Sequence, residues 1–306
     1  MKILITGAKG QVGTDIVIEA EKRGHEVYGF ASSELDITNK DIVDGQLTKI
    51  KPDVVINAAA YTAVDKAEAE QEKAYAVNEA GVKNLAEICK TLDIPLFHIS
   101  TDYVFDGEKK EPYVETDTPN PTSVYGASKL AGEVALQQIW NKHIILRVSW
   151  VFGEHGNNFV KTMLRLSESR DELSVVNDQY GAPTAAKSIA GCLLNIIEKS
   201  KFGVTGFPWG VYHYQSDPCV TWYGFAEEIF SQASEKKWRG RRVKLKAISS
   251  GQFPTPVKRP GNSKLDGEKI QRVLGVQAAD WKSQLSVMLD NIYCFHSHDF
   301  RYLKSN

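Results

Sequence analysis

Short, nearly continuous apolar runs separated by helical patterns dominate the first half of the chain. Runs at residues 2–6, 26–30, 54–57, 95–100 and 144–149 predict strands. Between them Val82, Leu85, Cys89 and Leu92 recur at helical spacing, and residues 11–22 also predict a helix. Strand runs without alternating polar residues are expected where helices cover both faces of a sheet. The alternation of β and α elements therefore predicts an α/β fold with right-handed crossovers and a doubly wound parallel sheet.

After about residue 150 the rhythm changes. Gly and Pro cluster at 202–208 and 253–261, between helical stretches near 159–170, 185–198, 221–233 and 281–292. This pattern predicts a first domain over 1–150 and a smaller, partly interleaved second domain over 151–306, some of whose segments return to the first. Residues 293–306 show no periodicity and are expected to pack loosely.

Composition narrows the class. The 306 residues hold 37 Lys and Arg against 38 Asp and Glu, which excludes a generally basic nucleic-acid coat. No apolar run approaches the roughly 20 residues of a membrane span. The chain enters its first strand at Lys2, leaving no room for a signal peptide, and its four cysteines are far apart. A cytoplasmic protein with reduced thiols is expected.

Candidate chemistry begins where the first strand meets the first helix, at Gly7-Ala-Lys-Gly10-Gln11-Val12-Gly13. Glycines three apart allow a tight turn and close approach of backbone to a pyrophosphate, and the helix N-terminus favours the phosphate charge. An ordinary tight turn is the simpler alternative. In this context the loop predicts a Rossmann-type domain binding NADPH or NADH. The second strand ends without a carboxylate, and Ser32 or Ser33 there tilts the choice toward NADPH or dual use. Asp36 and Ile37 are placed to flank the adenine. Further on, Tyr125 and Lys129 stand at i and i+4 at the start of a helix, on one face. A lysine ammonium near the phenol is expected to lower its pKa and equip it for proton transfer to a reduced carbonyl. Thr101 and Asp102 follow a strand, at the carboxyl end where ligands of such sheets bind.

These residues together resemble the extended short-chain dehydrogenase/reductase family, and within it the branch of dTDP-4-dehydrorhamnose reductases. The strings GAKGQVG (7–13), NAAAYTAVDKAE (57–68), STDYVFDG (100–107) and YGASKLAGE (125–133) carry the wider resemblance. The narrower one rests on LRVSWVFG (146–153), GNNFVKTMLRL (156–166), VNDQYGAPT (176–184) and RPGNSKLD (259–266). The resemblance runs from residue 1 to about 292. It implies reduction of dTDP-4-dehydro-β-L-rhamnose by NAD(P)H, the last step of dTDP-L-rhamnose synthesis for cell-surface polysaccharide. It further implies Tyr125 as proton donor, Lys129 as nicotinamide-ribose ligand and Thr101 as helper at the carbonyl. Gly10, Gln11 and Val12 would meet the pyrophosphate, with Asp36, Ile37, Ala60, Tyr61 and Thr62 lining the rest of the cofactor. Thr101, Asp102 and Trp150 would contact the sugar, Trp150 by stacking. Asn158, Lys161 and Arg259 are candidates for the nucleotide part.

Some members of the family hold magnesium at a dimer contact through glutamates. Asp15 stays acidic at one such position, but Lys187 occupies another and cannot ligate a hard cation, so no metal is assigned and a monomer or homodimer is expected. A small-molecule nucleotide sugar is the expected partner, with neither nucleic acid nor membrane. The basic run 236–246 is taken as solvated surface, and the acidic, alanine-rich 65–76 as a solvent-facing helix start. His98 is taken as a core histidine, and Cys294, His296 and His298 lack a fourth metal ligand. The rival functions are a reductase or epimerase of another nucleotide sugar, or a non-catalytic regulatory subunit of the same fold.

Overall fold

The computed structural model describes residues 1–200, 206–236 and 243–298. The first half alternates β1 (Lys2–Thr6), α1 (Gln11–Lys22), β2 (Glu26–Phe30), α2 (Lys40–Ile50) and β3 (Val54–Asn57). Short helices α3 (Val64–Ala67) and α4 (Gln71–Tyr75) lead through a π-helical turn, Ala76–Ala80, into α5 (Gly81–Thr91). Then come β4 (Leu96–Thr101), α6 (Val124–Ile139) and β5 (His143–Val148). The second half runs β6 (Val151–Phe152), α7 (Phe159–Ser167), β7 (Glu172–Val176), β8 (Tyr180–Gly181), β9 (Thr184–Ala185) and α8 (Ala186–Lys199). It ends with β10 (Gly210–His213), β11 (Val220–Thr221), α9 (Trp222–Glu235), β12 (Lys244–Ile248), α10 (Glu268–Leu274) and α11 (Trp281–His298).

Among the described residues a six-stranded parallel sheet has the order β2-β1-β3-β4-β5-β10. Side chains alternate across it. Ile3 and Ile5 join α1 and α8 in one core, while Leu4 joins α2, α5 and α6 in the other. Both faces are covered, which is why β1 and β3 read as unbroken apolar runs. The direction of travel reverses at β1, opening a crevice at the carboxyl ends of β1 and β3.

The chain crosses back to this sheet after residue 150: α8 packs on α1, and β10 pairs with β5. A third core gathers Phe225, Trp281 and Leu289 from α9 and α11 with Phe152, Val160 and Leu173. No helix of the described residues is long and apolar enough to cross a membrane.

Two expectations are corrected. Residues 65–76 do not form a merely solvent-facing helix: Ala67 and Ala74 are fully buried with Tyr125, and Glu68 Oε1 accepts from Val124 N at 2.9 Å. Residues 293–298, read as aperiodic, continue α11 to His298. Most of the 202–208 cluster, residues 237–242 of the basic run, and 299–306 lie outside the described residues.

A buried ion pair fastens the sheet to α6. Arg147 on β5 donates through Nε and Nη2 to Glu133 at 3.0 and 2.6 Å, both side chains being almost wholly enclosed. Removing one partner strands the other charge without solvent. Glu133→Ala is accordingly expected to cost about 3–5 kcal/mol in urea unfolding, while Glu133→Gln, which keeps one acceptor, should cost less.

Candidate active site

The glycine loop is shaped by backbone contact. Gly7 has φ +68°, and a Cβ there would stand 2.5 Å from Ala59 N at the end of β3. A Cβ on Gly13 would lie 2.1 Å from Gly7 O, so α1 can close on the loop only because that position is bare. Gly10 begins α1 without a side-chain cap, leaving the helix's first N–H groups to a ligand. This cradle, which side chains would fill, fits a dinucleotide pyrophosphate. Gln11 spends its side chain on a brace: Nε2 donates to Val151 O at 3.2 Å, and Oε1 accepts from Asn158 Nδ2 at 2.9 Å. Val12 packs on the core.

Ala60, Tyr61 and Thr62 follow β3. Tyr61 is held at both backbone polar groups by Asn78, whose Oδ1 accepts from Tyr61 N at 2.9 Å and whose Nδ2 donates to Tyr61 O at 3.0 Å. Asn78 Nδ2 also donates to Ser128 Oγ on α6 at 3.0 Å. A buried polar residue on the π-turn thus couples cofactor loop to catalytic helix, a role that sequence inspection missed. Its one signal is an asparagine just ahead of the apolar face of α5.

Beyond β2 the expectations need adjusting. Ser32 is exposed, and Asp36 Oδ1 is engaged by Thr38 N at 2.9 Å. Ile37 is only 3% exposed: its side chain packs beneath Gly81 and its carbonyl accepts from Asn84 Nδ2 at 3.0 Å, so the expected adenine contact does not form from this residue as it stands. The tip of β2 was expected to carry no carboxylate, yet Glu34 folds back so that its Oε2 accepts from Ala31 N at 2.8 Å.

At the carboxyl end of β4, the Thr101 hydroxyl donates to Asp102 Oδ1 at 3.1 Å and lies beside the Tyr125 phenol, whose pKa it lowers against the larger effect of burial. Tyr103 meets the Tyr125 ring edge-on, with centroids 5.5 Å apart. Ser123 caps α6 by accepting from Gly126 N at 3.1 Å, which fixes where Tyr125 starts. Lys129 shares the face but not the contact: its Nζ donates to Ile99 O at 2.7 Å and lies 3.3 Å from His98 Nε2. Burial lowers the lysine to about 8 and pushes the phenol up from its ordinary value. The expected lysine-driven drop is therefore absent in the free protein, because desolvation outweighs the distant charge. The phenol keeps its proton, as a donor must.

His98 is fully buried, as expected, and its Nδ1 is 3.0 Å from Asn57 Nδ2. Asp102 is buried too; desolvation raises its carboxyl to about 6, partly offset by the Ser263 and Thr101 hydroxyls. Its Oδ2 has no hydrogen-bond partner among the described residues.

A cleft of about 670 Å³ opens beside this cluster, walled by Tyr103, Trp150, Gln179, Trp222, Phe253 and Arg259 among others. Trp150 does not offer a free face. Trp222 stacks on it at 3.6 Å and 11°, and Gly181 backs the ring so closely that a Cβ would lie 2.5 Å from Cε2. Sandwiched this way, Trp150 presents its edge to a ligand rather than a stacking surface. Trp222, at the start of α9, escaped sequence inspection because only the fold brings it to Trp150. Arg259 reaches across the cleft to Asp65 Oδ2 at 2.5 Å and hydrogen-bonds Tyr103.

Asn158 and Lys161 are placed differently from expectation. Asn158 caps α7 and donates to Gly153 O at 2.7 Å; Lys161 Nζ donates to Gly156 O at 3.0 Å. Both serve the loop beside Gln11 and neither walls the cleft. Asp15 feels Lys187, His155 and Glu154, and burial raises its carboxyl to about 6.

A doubly wound sheet, a bare glycine cradle and a buried Thr–Tyr–Lys cluster define a nicotinamide-cofactor oxidoreductase of short-chain dehydrogenase/reductase type. The chain belongs to the family described as the RmlD substrate binding domain, whose model matches residues 1–294. It is 49% identical over 285 residues to a dTDP-4-dehydrorhamnose reductase of Aggregatibacter actinomycetemcomitans, covering 93% of this chain and 97% of that one. Among solved structures it resembles a dTDP-4-dehydrorhamnose reductase of Clostridium acetobutylicum, with TM-score 0.89, 40% identity, and coverage of 96% and 100%. The Bacillus anthracis enzyme in complex with NADP matches at TM-score 0.87 and 36% identity, covering 95% and 99%.

Asp102 yields a test of stability against function. Its carboxyl is raised in the folded state, so the group costs nothing below pH 4, where both states are protonated, and destabilises the fold as pH rises through about 6. Asp102→Asn is expected to match the wild type near pH 4 and exceed it by on the order of 3 kcal/mol at pH 7.5 in denaturant melts. The same variant should lose activity.

Proposed function

We propose that this protein reduces dTDP-4-dehydro-β-L-rhamnose to dTDP-L-rhamnose with NAD(P)H, the last step of dTDP-rhamnose synthesis. The observation that carries the proposal is the Thr101–Tyr125–Lys129 cluster at the end of β4, opening onto a cleft with an arginine, in a chain close to known reductases along nearly its whole length. In this proposal residues 1–150 hold the cofactor and 151–306 supply most of the substrate wall, with α8 and β10 returning to the sheet.

When bound in the glycine cradle, the cofactor supplies a hydride to the sugar's keto carbon. The chain's own residues handle charge and position. Tyr125, neutral in its buried setting, gives its proton to the oxygen that becomes the new hydroxyl. Thr101, beside the phenol, turns its hydroxyl from Asp102 to the carbonyl oxygen and steadies the developing charge. Lys129, protonated below about pH 8, balances the phenolate left behind and serves the nicotinamide ribose. Asp102 Oδ2, buried without a partner, is available to a sugar hydroxyl. Arg259 exchanges Asp65 for the diphosphate, which its planar fork suits.

The test follows absorbance at 340 nm with dTDP-4-dehydrorhamnose generated in situ. Sugar-dependent cofactor consumption is expected, with kcat/KM declining above about pH 8 as Lys129 loses its charge. Tyr125→Phe should reduce turnover roughly 10²–10⁴-fold with cofactor affinity nearly unchanged. Lys129→Met should weaken both. Cofactor binding without sugar-dependent consumption would refute the substrate assignment.

A further inference from the structure

Behind the catalytic lysine lies a chain of buried polar groups that the proton transfer leaves without a part. Thr6, the last residue of β1 before the glycine loop, donates through Oγ1 to Asn57 Oδ1 at 2.7 Å. Asn57 Oδ1 also accepts from Ala59 N at 3.1 Å, and its Nδ2 lies 3.0 Å from His98 Nδ1. His98 Nε2 in turn lies 3.3 Å from Lys129 Nζ. Thr6, Asn57 and His98 are fully buried, and Lys129 is 2% exposed.

These contacts place the proton of His98. A backbone N–H only donates, so Ala59 N fixes the Asn57 amide oxygen on its own side and turns the NH2 group toward His98. The amide therefore donates to Nδ1, which must be bare. Burial, with Lys129 and His143 nearby, holds the imidazole neutral. Its one proton then sits on Nε2, aimed at Lys129 Nζ. An ammonium has three N–H groups and no lone pair, so two donors face each other there. A neutral amine accepts from Nε2 and still donates to Ile99 O, 2.7 Å away. Of the other groups around Lys129, Glu133 favours the ammonium from one turn along α6 and is tied to Arg147 on β5. His143 on β5 bears on His98, while Tyr125 precedes Lys129 on α6 and Asp102 follows β4. From the π-turn the polar side chain meeting α6 is Asn78, which does not titrate.

Resting on the reductase function proposed above, we infer that His98 is a positioning residue of the reaction: locked by Asn57 with its proton on Nε2, it opposes the Lys129 ammonium and keeps that proton exchangeable in the working pH range. The lysine that balances the phenolate is thereby one that also gives up its charge. The lock runs back through Asn57 to the strand that carries the glycine loop.

Two NMR measurements on the full chain test this without sugar. Nitrogen-15 shifts of labelled histidine separate protonated from bare ring nitrogens, and the His98 signals are those lost in His98→Phe. The Lys129 ε-carbon, assigned by its loss in Lys129→Met, reports the lysine's titration. In the wild type His98 is expected bare at Nδ1, with Lys129 titrating near pH 8. In His98→Phe the lysine should bind its proton about fivefold more tightly, and the alkaline limb of kcat/KM should move up with it. A phenyl ring desolvates the lysine more than an imidazole and by itself moves the titration down, so a rise marks the lost N–H. In Asn57→Asp the carboxylate keeps the contacts to Ala59 N and Thr6 but accepts from Nδ1, so the bare nitrogen should become Nε2. A wild-type His98 bare at Nε2, or a lysine titration unchanged or lowered in His98→Phe, overturns the inference. An imidazole unaltered in Asn57→Asp overturns Asn57 as the lock. The expected shifts in a wild type that consumes no cofactor with the sugar support the His98–Lys129 opposition and overturn the reductase function.

Discussion

The catalytic helix lies against two backbone carbonyls at distances that no side chain could share. A Cβ on Gly126 would stand 2.1 Å from Tyr103 O, and one on Gly132 would stand 2.0 Å from Asn78 O. These bare positions let α6 settle between the end of β4 and the π-turn, carrying Tyr125 to Thr101 and Ser128 to Asn78. From Asn78 the constraint passes to Tyr61 and the cofactor loop; from Glu133 it passes through Arg147 into β5. The site is thus one rigid assembly built around close helix packing, and the protein chemistry is positioned by backbone contact as much as by side chains.

Desolvation is the second organising force. Tyr125 is raised, Lys129 lowered and Asp102 raised, each toward its neutral form. Burial thus penalises the charged form of all three, yet at neutral pH Lys129 stays protonated and Asp102 ionised while Tyr125 keeps its proton. That arrangement costs stability at neutral pH, most clearly at Asp102, whose buried Oδ2 finds no partner among the described residues. An exposed pair, Lys9 and Glu34, is the opposite case, two full charges in solvent whose attraction is screened by salt.

Much was legible in the residues themselves. The order of strands and helices in the first half followed from apolar runs and helical spacing, and the helix 11–22 matches its predicted bounds. The glycine loop and the Tyr125–Lys129 spacing pointed to a bare turn ahead of α1 and to one face of α6, both of which the structure contains. The corrections share one cause. Trp150, Asn158 and Lys161 were assigned roles by residue type, but the neighbours that claim them, Trp222 and Gly181, Gln11 and Gly153, and Gly156, are mostly remote in the chain.

Sequence alone determined the fold class and proposed the glycine cradle and the candidate reacting groups, because periodicity, turn residues and i, i+4 spacing are local properties. Tertiary structure alone decided which groups keep their protons, which faces stay open and which charges meet. Burial turns Lys129 from an ammonium that lowers its neighbour into a lysine near 8. Packing covers both faces of Trp150. A folded-back side chain brings Glu34 to a strand tip that looked free of acid. Lys129 depends on desolvation and Trp150 on contact between residues far apart in the chain, neither of which is encoded in local pattern; the Glu34 contact spans three residues, but the direction of its side chain is not set by their spacing.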